Sequence, residues 1–175
     1  MVSSLDGMIA KKDNSISWFD TPGNYEKGVT AQDPEAFLKT IDCYIMGART
    51  YEHALQLSAS YGWAYGDTPT IVVTNQPLRD DRQNIQFYAG DLHKLVEEKL
   101  KPRYQSVWLV GGAMLVKEFI RLKLADDIRL SVLPIILGDG LLFFDHIQQE
   151  QALHLKDVTA YKNGMVELWY EIRKE

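Results

Sequence analysis

Val107-Trp108-Leu109-Val110-Gly111-Gly112-Ala113 runs from an apolar segment of strand length into two glycines, and Leu115, Phe119 and Leu122 follow at helical spacing. A buried strand turning directly into a helix is the building unit of a parallel α/β sheet. Glycine lets a ligand approach the backbone without Cβ interference. The helix start offers free N–H groups and a positive dipole end, which suits a pyrophosphate. The same residues also fit a tight turn that needs glycine for its own geometry.

The pattern recurs in Ile45-Met46-Gly47-Ala48-Arg49-Thr50-Tyr51-Glu52. Arg49 adds a cation and Thr50 a hydroxyl, both phosphate partners. Around it, Asp33-Pro34 marks a helix start carrying Phe37, Leu38 and Ile41 inward, and Cys43 to Met46 is a strand ending at Gly47. Thr70 to Thr74 is a β-branched strand, and Ile85 to Phe87 is another. Ser58 to Asp67 is rich in Gly, Tyr, Ser and Trp and reads as a loop. Asp91 caps a helix with Leu92, Leu95, Val96 and Leu100 on one face. Thr74 and Asn75 end their strand at the edge where open α/β sheets bind ligands. Their side chains fit a ribose phosphate, or equally a cap for the turn before Pro77.

The last third differs. Ile128, Leu130 and Val132 alternate with other residues, Leu133-Pro134 interrupts, and Val166, Leu168, Tyr170 and Ile172 alternate again. Asn163-Gly164 signals a type I′ hairpin turn before the final strand. An antiparallel hairpin therefore completes a mostly parallel sheet. At the other end, Ser3-Ser4-Leu5-Asp6-Gly7-Met8-Ile9-Ala10 reads as a strand, an Asp-Gly turn and an apolar return. Asp6 is there either a ligand contact or a turn residue.

Composition narrows the function. The 175 residues are 46% apolar and 25% charged, with net charge −5, so no basic surface suits nucleic acid or an anionic membrane. Cys43 is the sole cysteine, and the four histidines show no metal-ligand spacing. No GxSxG motif points to a hydrolase. No apolar run reaches membrane-spanning length and the N-terminus has no secretory pattern, which predicts one cytoplasmic domain spanning 1–175.

Taken in order, these segments resemble the dihydrofolate-reductase-like superfamily, and most closely the stand-alone relatives of the riboflavin-biosynthesis (RibD C-terminal) reductase domain. The carriers are Ser4 to Ala10, Met46 to Glu52, Val72 to Asn75, Val110 to Ala113, and Leu133-Pro134-Ile135-Ile136-Leu137-Gly138-Asp139-Gly140. The resemblance implies an α/β, dihydrofolate-reductase-like three-layer fold. Its central sheet is mixed and mostly parallel, flanked by helices, with an antiparallel C-terminal hairpin. It implies NADPH as cofactor, with the turn through Val110, Gly111, Gly112, Ala113, Met114 and Leu115 at the pyrophosphate and nicotinamide. Gly47, Arg49 and Thr50 then meet the phosphates, Thr74 and Asn75 the adenosine 2′-phosphate, and Val2, Ile9 and Ala10 the nicotinamide ring. Residues 11–18 match a loop that closes over it, and Trp18 and Asp20 fall at the substrate pocket. The family often has Arg directly after the motif glycine, where this chain has Ala48 and then Arg49.

The implied activity is hydride transfer to a small heterocycle of pterin or pyrimidine type, or to a carbonyl or imine. Reduction of 5-amino-6-(5-phosphoribosylamino)uracil is the family example. No side chain is compelled to be the general acid: Asp6 and Glu26 are candidate proton donors, and a bound water serves equally. The competing readings are a nucleotide-binding protein without catalysis and a dimeric structural protein of the same fold. The resemblance also implies a homodimer, and the apolar run from Leu133 to Phe144 offers a surface for it.

Overall fold

The computed structural model describes residues 1–21, 23–30 and 37–174. In chain order its strands are β1 (Val2–Ser3), β2 (Met8–Ala10), β3 (Cys43–Gly47), β4 (Thr70–Val73), β5 (Ile85–Tyr88), β6 (Val107–Gly111), β7 (Asp127–Val132), β8 (Leu141–Leu142), β9 (Leu153–Ala160) and β10 (Val166–Ile172). Its helices are α1 (Ala48–Tyr61), α2 (Leu92–Lys94) and α3 (Ala113–Arg121). Two compact units form, residues 33–124 and residues 1–32 together with 125–175. Among the described residues, no helix is long and apolar enough to cross a membrane.

In the unit 33–124, β5, β4, β3 and β6 pair in that order, all parallel. Successive side chains of a strand point to opposite faces. Tyr44, Met46, Val72, Ile85 and Tyr51 of α1 accordingly form a buried cluster on one face, with Trp63, Phe87, Trp108 and Val110 packed against it. Cys43, Ile45 and Ile71 alternate to the other face and are also buried. The helix expected from Asp33-Pro34 begins outside the described residues. Phe37 and Leu38 are helical, but Leu38 is 40% exposed, so only Phe37 and Ile41 pack inward. Helix α1 continues through Ser58 to Tyr61, so the expected loop starts only at Gly62, whose φ of 78° ends the helix.

Asp91 caps α2 as expected, its carboxylate accepting from the Lys94 N–H at 2.9 Å. The helix then widens to π geometry over Leu95–Leu100, with the Lys101 N–H reaching the Val96 carbonyl at 2.9 Å. The wider turn puts Leu95 and Leu100, five residues apart, on one buried side. In α3 the buried positions are Val116, Phe119 and Ile120, while Leu115 and Leu122 lie only partly inward.

In the other unit, β1 runs parallel to β7, and β10 lies antiparallel between β7 and β9. Strand β9 was not evident in the sequence, because a bulge at Lys156 breaks its alternation. The bulge keeps Leu153, Leu155, Val158 and Ala160 on the face they share with Ile172, Tyr170, Leu168 and Val166. The hairpin before β10 is also not type I′. Only Gly164 has positive φ (81°), and the Gly164 N–H donates to the Tyr161 carbonyl at 2.9 Å. That is a three-residue loop built on an ordinary turn followed by glycine. The Asn163 side chain takes the Met165 N–H at 3.0 Å, which does the work assigned to positive φ at Asn163.

Residues 25–29 cross this hairpin. Tyr25 N–H donates to Lys162 O at 2.9 Å and Val29 N–H to Ala160 O at 2.8 Å. A Cβ on Gly28 would stand 2.5 Å from the Tyr161 carbonyl carbon and 2.6 Å from the Lys162 nitrogen. Backbone on both sides cannot yield as a side-chain tip can. Gly28→Ala should therefore destabilise the protein by about 2 kcal/mol or more. An unchanged urea midpoint in that variant would show that the crossing is looser than this.

Candidate functional site

Every strand of the parallel sheet ends on the same edge, because all four point the same way. The chain proceeds outward from β3 to β4 and β5, then returns to place β6 on the other side of β3. The reversal lies between β3 and β6, and such a switch point is where open α/β sheets leave a crevice for ligands. Both bordering strands end in glycine and lead straight into α1 and α3. An added Cβ on Gly47 would lie 3.9 Å from Gly111 O and Gly112 N, so the two turns are neighbours.

Three helices start at this edge, and they differ at their first residues. Helix α2 carries its own carboxylate cap in Asp91. Helices α1 and α3 begin at Gly47 and Gly112 with no side-chain cap and no acidic residue in the first turn. In α3 the Gly112 carbonyl takes the N–H groups of Leu115 (3.0 Å) and Val116 (3.1 Å). The N–H groups of Ala113 and Met114, in the first turn, have no partner within the helix. The Met114 side chain is 69% exposed.

The glycines separate a tight-turn role from a ligand-facing one. Gly111 has φ 131°, which only glycine adopts readily, and the Gly111-Gly112 peptide is cis. Gly47 (φ −80°) and Gly112 (φ −72°) have ordinary backbone that any residue adopts. A Cβ on Gly112 would meet only Thr50 Oγ1, at 3.3 Å. The chain's own geometry thus demands glycine at 111, while at 47 and 112 the missing side chains leave open backbone beside the Thr50 hydroxyl.

Of the other expected residues in this unit, Arg49 is exposed in the first turn of α1. Thr74 follows β4 directly beside Gly47, since Val73 pairs with Gly47. Its hydroxyl accepts the Gln76 N–H at 3.0 Å, the turn-capping role, and Asn75 next to it is exposed. Val110 packs on the aromatic core cluster, so its side chain does not face the edge. The Leu115 N–H is committed to Gly112.

Sequence reasoning missed the group beneath this edge. The Tyr51 hydroxyl donates to Asp80 Oδ2, and Arg82 donates to the same carboxylate through Nε (2.9 Å to Oδ1) and Nη2 (2.5 Å to Oδ2). The Arg82 hydrogen bonds hold the Asp80 carboxyl well below the usual range, while burial first, and Asp80 second, push Tyr51 up to about 12. Leu78-Arg79-Asp80-Asp81-Arg82 offers no signal that would single out Asp80, because nothing in sequence brings it to Tyr51.

In the other unit, Val2 lies in β1 and Ile9 and Ala10 in β2. Asp6 is a strap. Its carboxylate accepts from the Ser4 hydroxyl (2.5 Å), the Leu137 N–H (3.1 Å) and the Gly138 N–H (2.7 Å). The Ser4 bond first, then Gly138 and Leu137, draw its carboxyl down to about 2. Glu26 and Asp20 are exposed. Trp18 is buried at 4% exposure, with its indole N–H lacking a hydrogen-bond partner.

The RibD C-terminal domain family model matches residues 1–167. The uncharacterised protein YwjB of Bacillus subtilis is 31% identical over 168 residues, covering 95% of this chain and 92% of that one. YyaP of the same organism is 24% identical over 179 residues, covering 95% and 89%. Among solved structures, a candidate riboflavin biosynthesis protein from Shewanella sp. PV-4 superposes with TM-score 0.84 at 19% identity, over 99% of this chain and 97% of that one. A diaminohydroxyphosphoribosylaminopyrimidine deaminase/5-amino-6-(5-phosphoribosylamino)uracil reductase from Thermotoga maritima gives 0.68 at 16%, over 98% of this chain and 55% of that one. The parallel sheet with its flanking helices, the antiparallel C-terminal strands and a family match over nearly the whole length lead to one assignment: the chain belongs to the RibD C-terminal domain family and has the dihydrofolate-reductase-like fold.

Proposed function

We propose that this protein is an NADPH-dependent reductase acting on a small pterin- or pyrimidine-like heterocycle, or on a carbonyl or imine. The observation that carries this is the pair of uncapped helix starts at Gly47 and Gly112, where glycine is not required by the backbone. The N–H groups of Ala113 and Met114 and the start of α1 would hold a pyrophosphate, with the Thr50 hydroxyl between them and Arg49 as the nearby cation. Thr74 and Asn75 would take the 2′-phosphate. The cofactor supplies the hydride when bound; the residues of the chain bind and orient it. The pyrimidine alternative draws support from the uracil-derivative reductase activity for which the structurally similar Thermotoga maritima protein is named.

A second reading, nucleotide binding without turnover, is favoured by one observation: the Asp6 carboxylate is already held by three donors. Turnover of NADPH against a panel of pterins, pyrimidines and quinones separates the two.

We propose further that the protein is a homodimer. Leu133 and Phe143 of the apolar run are core residues, but Ile136, Leu141, Leu142 and Phe144 stay exposed, as do Leu153, Leu155 and Val158 along the open edge strand β9. A chain of net charge −5 repels its own copy except across a neutral face, and the strip built by the β9 bulge carries no charge.

NADPH should raise the melting temperature more than NADH, since a ligand that binds only the native state stabilises it by about 2.7 kcal/mol at a hundredfold excess over Kd. Equal shifts would remove the 2′-phosphate role of Thr74 and Asn75, and no shift with either would remove the site. Gly112→Ala should fold and bind NADPH nearly as the parent does. Gly112→Asp should fold yet lose binding by about two orders of magnitude or more, because a carboxylate would face a pyrophosphate. Parent-like affinity in a folded Gly112→Asp variant would reduce this turn to a structural role. Light scattering at micromolar concentration should give twice the 20.0 kDa chain mass, and Val158→Glu should return it to 20.0 kDa; a parent of 20.0 kDa ends the dimer proposal.

A further inference from the structure

We infer that Asp80 is a positioning residue for the nucleotide, a brace that sets the spacing between the first turn of α1 and the segment starting at Thr74 and so governs discrimination between NADPH and NADH. This rests on the dinucleotide reading above. Tyr51 stands in the first turn of α1, directly after Arg49 and Thr50, and is 1% exposed. Its hydroxyl donates to Asp80 on the connection that leaves β4 through Thr74 and Asn75 and returns to the start of β5. The same carboxylate takes the Arg82 backbone N–H at 2.8 Å as well as its guanidinium. That guanidinium lies over the Trp63 ring at 3.9 Å, just past the C-terminal end of α1. The connection is thus fastened to α1 near both ends of the helix, through one carboxylate.

The carboxylate itself is not a ligand group. The Asp80 side chain is only 8% exposed, and both of its oxygens already accept hydrogen bonds from Tyr51 and Arg82. It acts through the backbone it fastens. Arg49 and Thr50 stand on one side of the brace and Thr74 and Asn75 on the other, and these are the groups proposed for the phosphates and for the 2′-phosphate. A nucleotide with the 2′-phosphate engages both sides at once and depends on their spacing. One without it leans on the helix starts alone. A brace with only a structural role would lower stability and leave the relative affinity for the two nucleotides unchanged.

The test uses Tyr51→Phe, which removes a single hydroxyl and keeps the aromatic packing, and Asp80→Asn, with Leu100→Ala, a buried position of the π-helical segment Leu95–Leu100, as a destabilised control. Thermal melts establish that each variant is folded, and fluorescence titration gives the Kd for NADPH and for NADH. The expected result is that the preference for NADPH narrows by about three- to tenfold in Tyr51→Phe and in Asp80→Asn, through misplacement of one contact set relative to the other, while Leu100→Ala keeps the parent ratio. Folded Tyr51→Phe with the parent ratio overturns the inference and leaves the nucleotide site standing. A parent that binds both nucleotides equally also overturns it, and a parent that binds neither overturns the functional reading with it.

Discussion

Parallel pairing of β3 with β4 on one side and β6 on the other is the constraint on which the candidate site depends. Parallel strands deliver their C-terminal ends to one edge, and the change of direction at β3 brings two strand-to-helix turns side by side. Each helix start carries the equivalent of about half a positive charge. Two of them adjacent, with no carboxylate in either first turn, form a locally unfavourable arrangement that an anion relieves. Asp91 shows the alternative within the same sheet: a helix start that satisfies itself. The contrast separates a helix start capped by its own side chain from two that are not.

Local fastenings hold that edge. The aromatic cluster of Tyr44, Tyr51, Trp63, Phe87 and Trp108 fills one face of the parallel sheet, and its ring pairs meet mostly edge to face or tilted. Tyr51 belongs both to this core and to the hydrogen-bonded group around Asp80, so packing and polar satisfaction meet in one residue. A buried carboxylate with a bidentate arginine and a tyrosine hydroxyl has its charge matched and its lone pairs used. That is the condition under which such a pair is tolerated inside a protein.

The other unit is organised by backbone proximity. Asp6 gathers Ser4, Leu137 and Gly138, the Leu5 N–H reaches the Ile135 carbonyl at 2.7 Å, and Phe143 N–H returns to Gly7 O at 2.9 Å. The segment that looked like a single apolar run is thus divided by its hydrogen bonds. Leu133 and Phe143 go to the core and Ile136 stays at the surface. The Asp6 carboxylate holds two loops together.

Sequence by itself determined the strand–glycine–helix units at Gly47 and Gly111-Gly112, the cap at Asp91 and the antiparallel character of the last third. These signals are local: hydrophobic period, β-branching, capping chemistry and turn residues act within a few positions. It did not disclose β9, because the bulge at Lys156 shifts the alternation by one residue, nor the turn type at Asn163-Gly164, where a side-chain hydrogen bond replaces a backbone preference. Tertiary structure alone decided which glycine is conformational and which leaves room, since that depends on φ at Gly111 against ordinary backbone at Gly47 and Gly112. It alone joined Tyr51 to Asp80 across 29 residues and fastened Asp6 to Ser4, Leu137 and Gly138. A side chain's role is set by the groups the fold brings against it, and no short-range pattern encodes those.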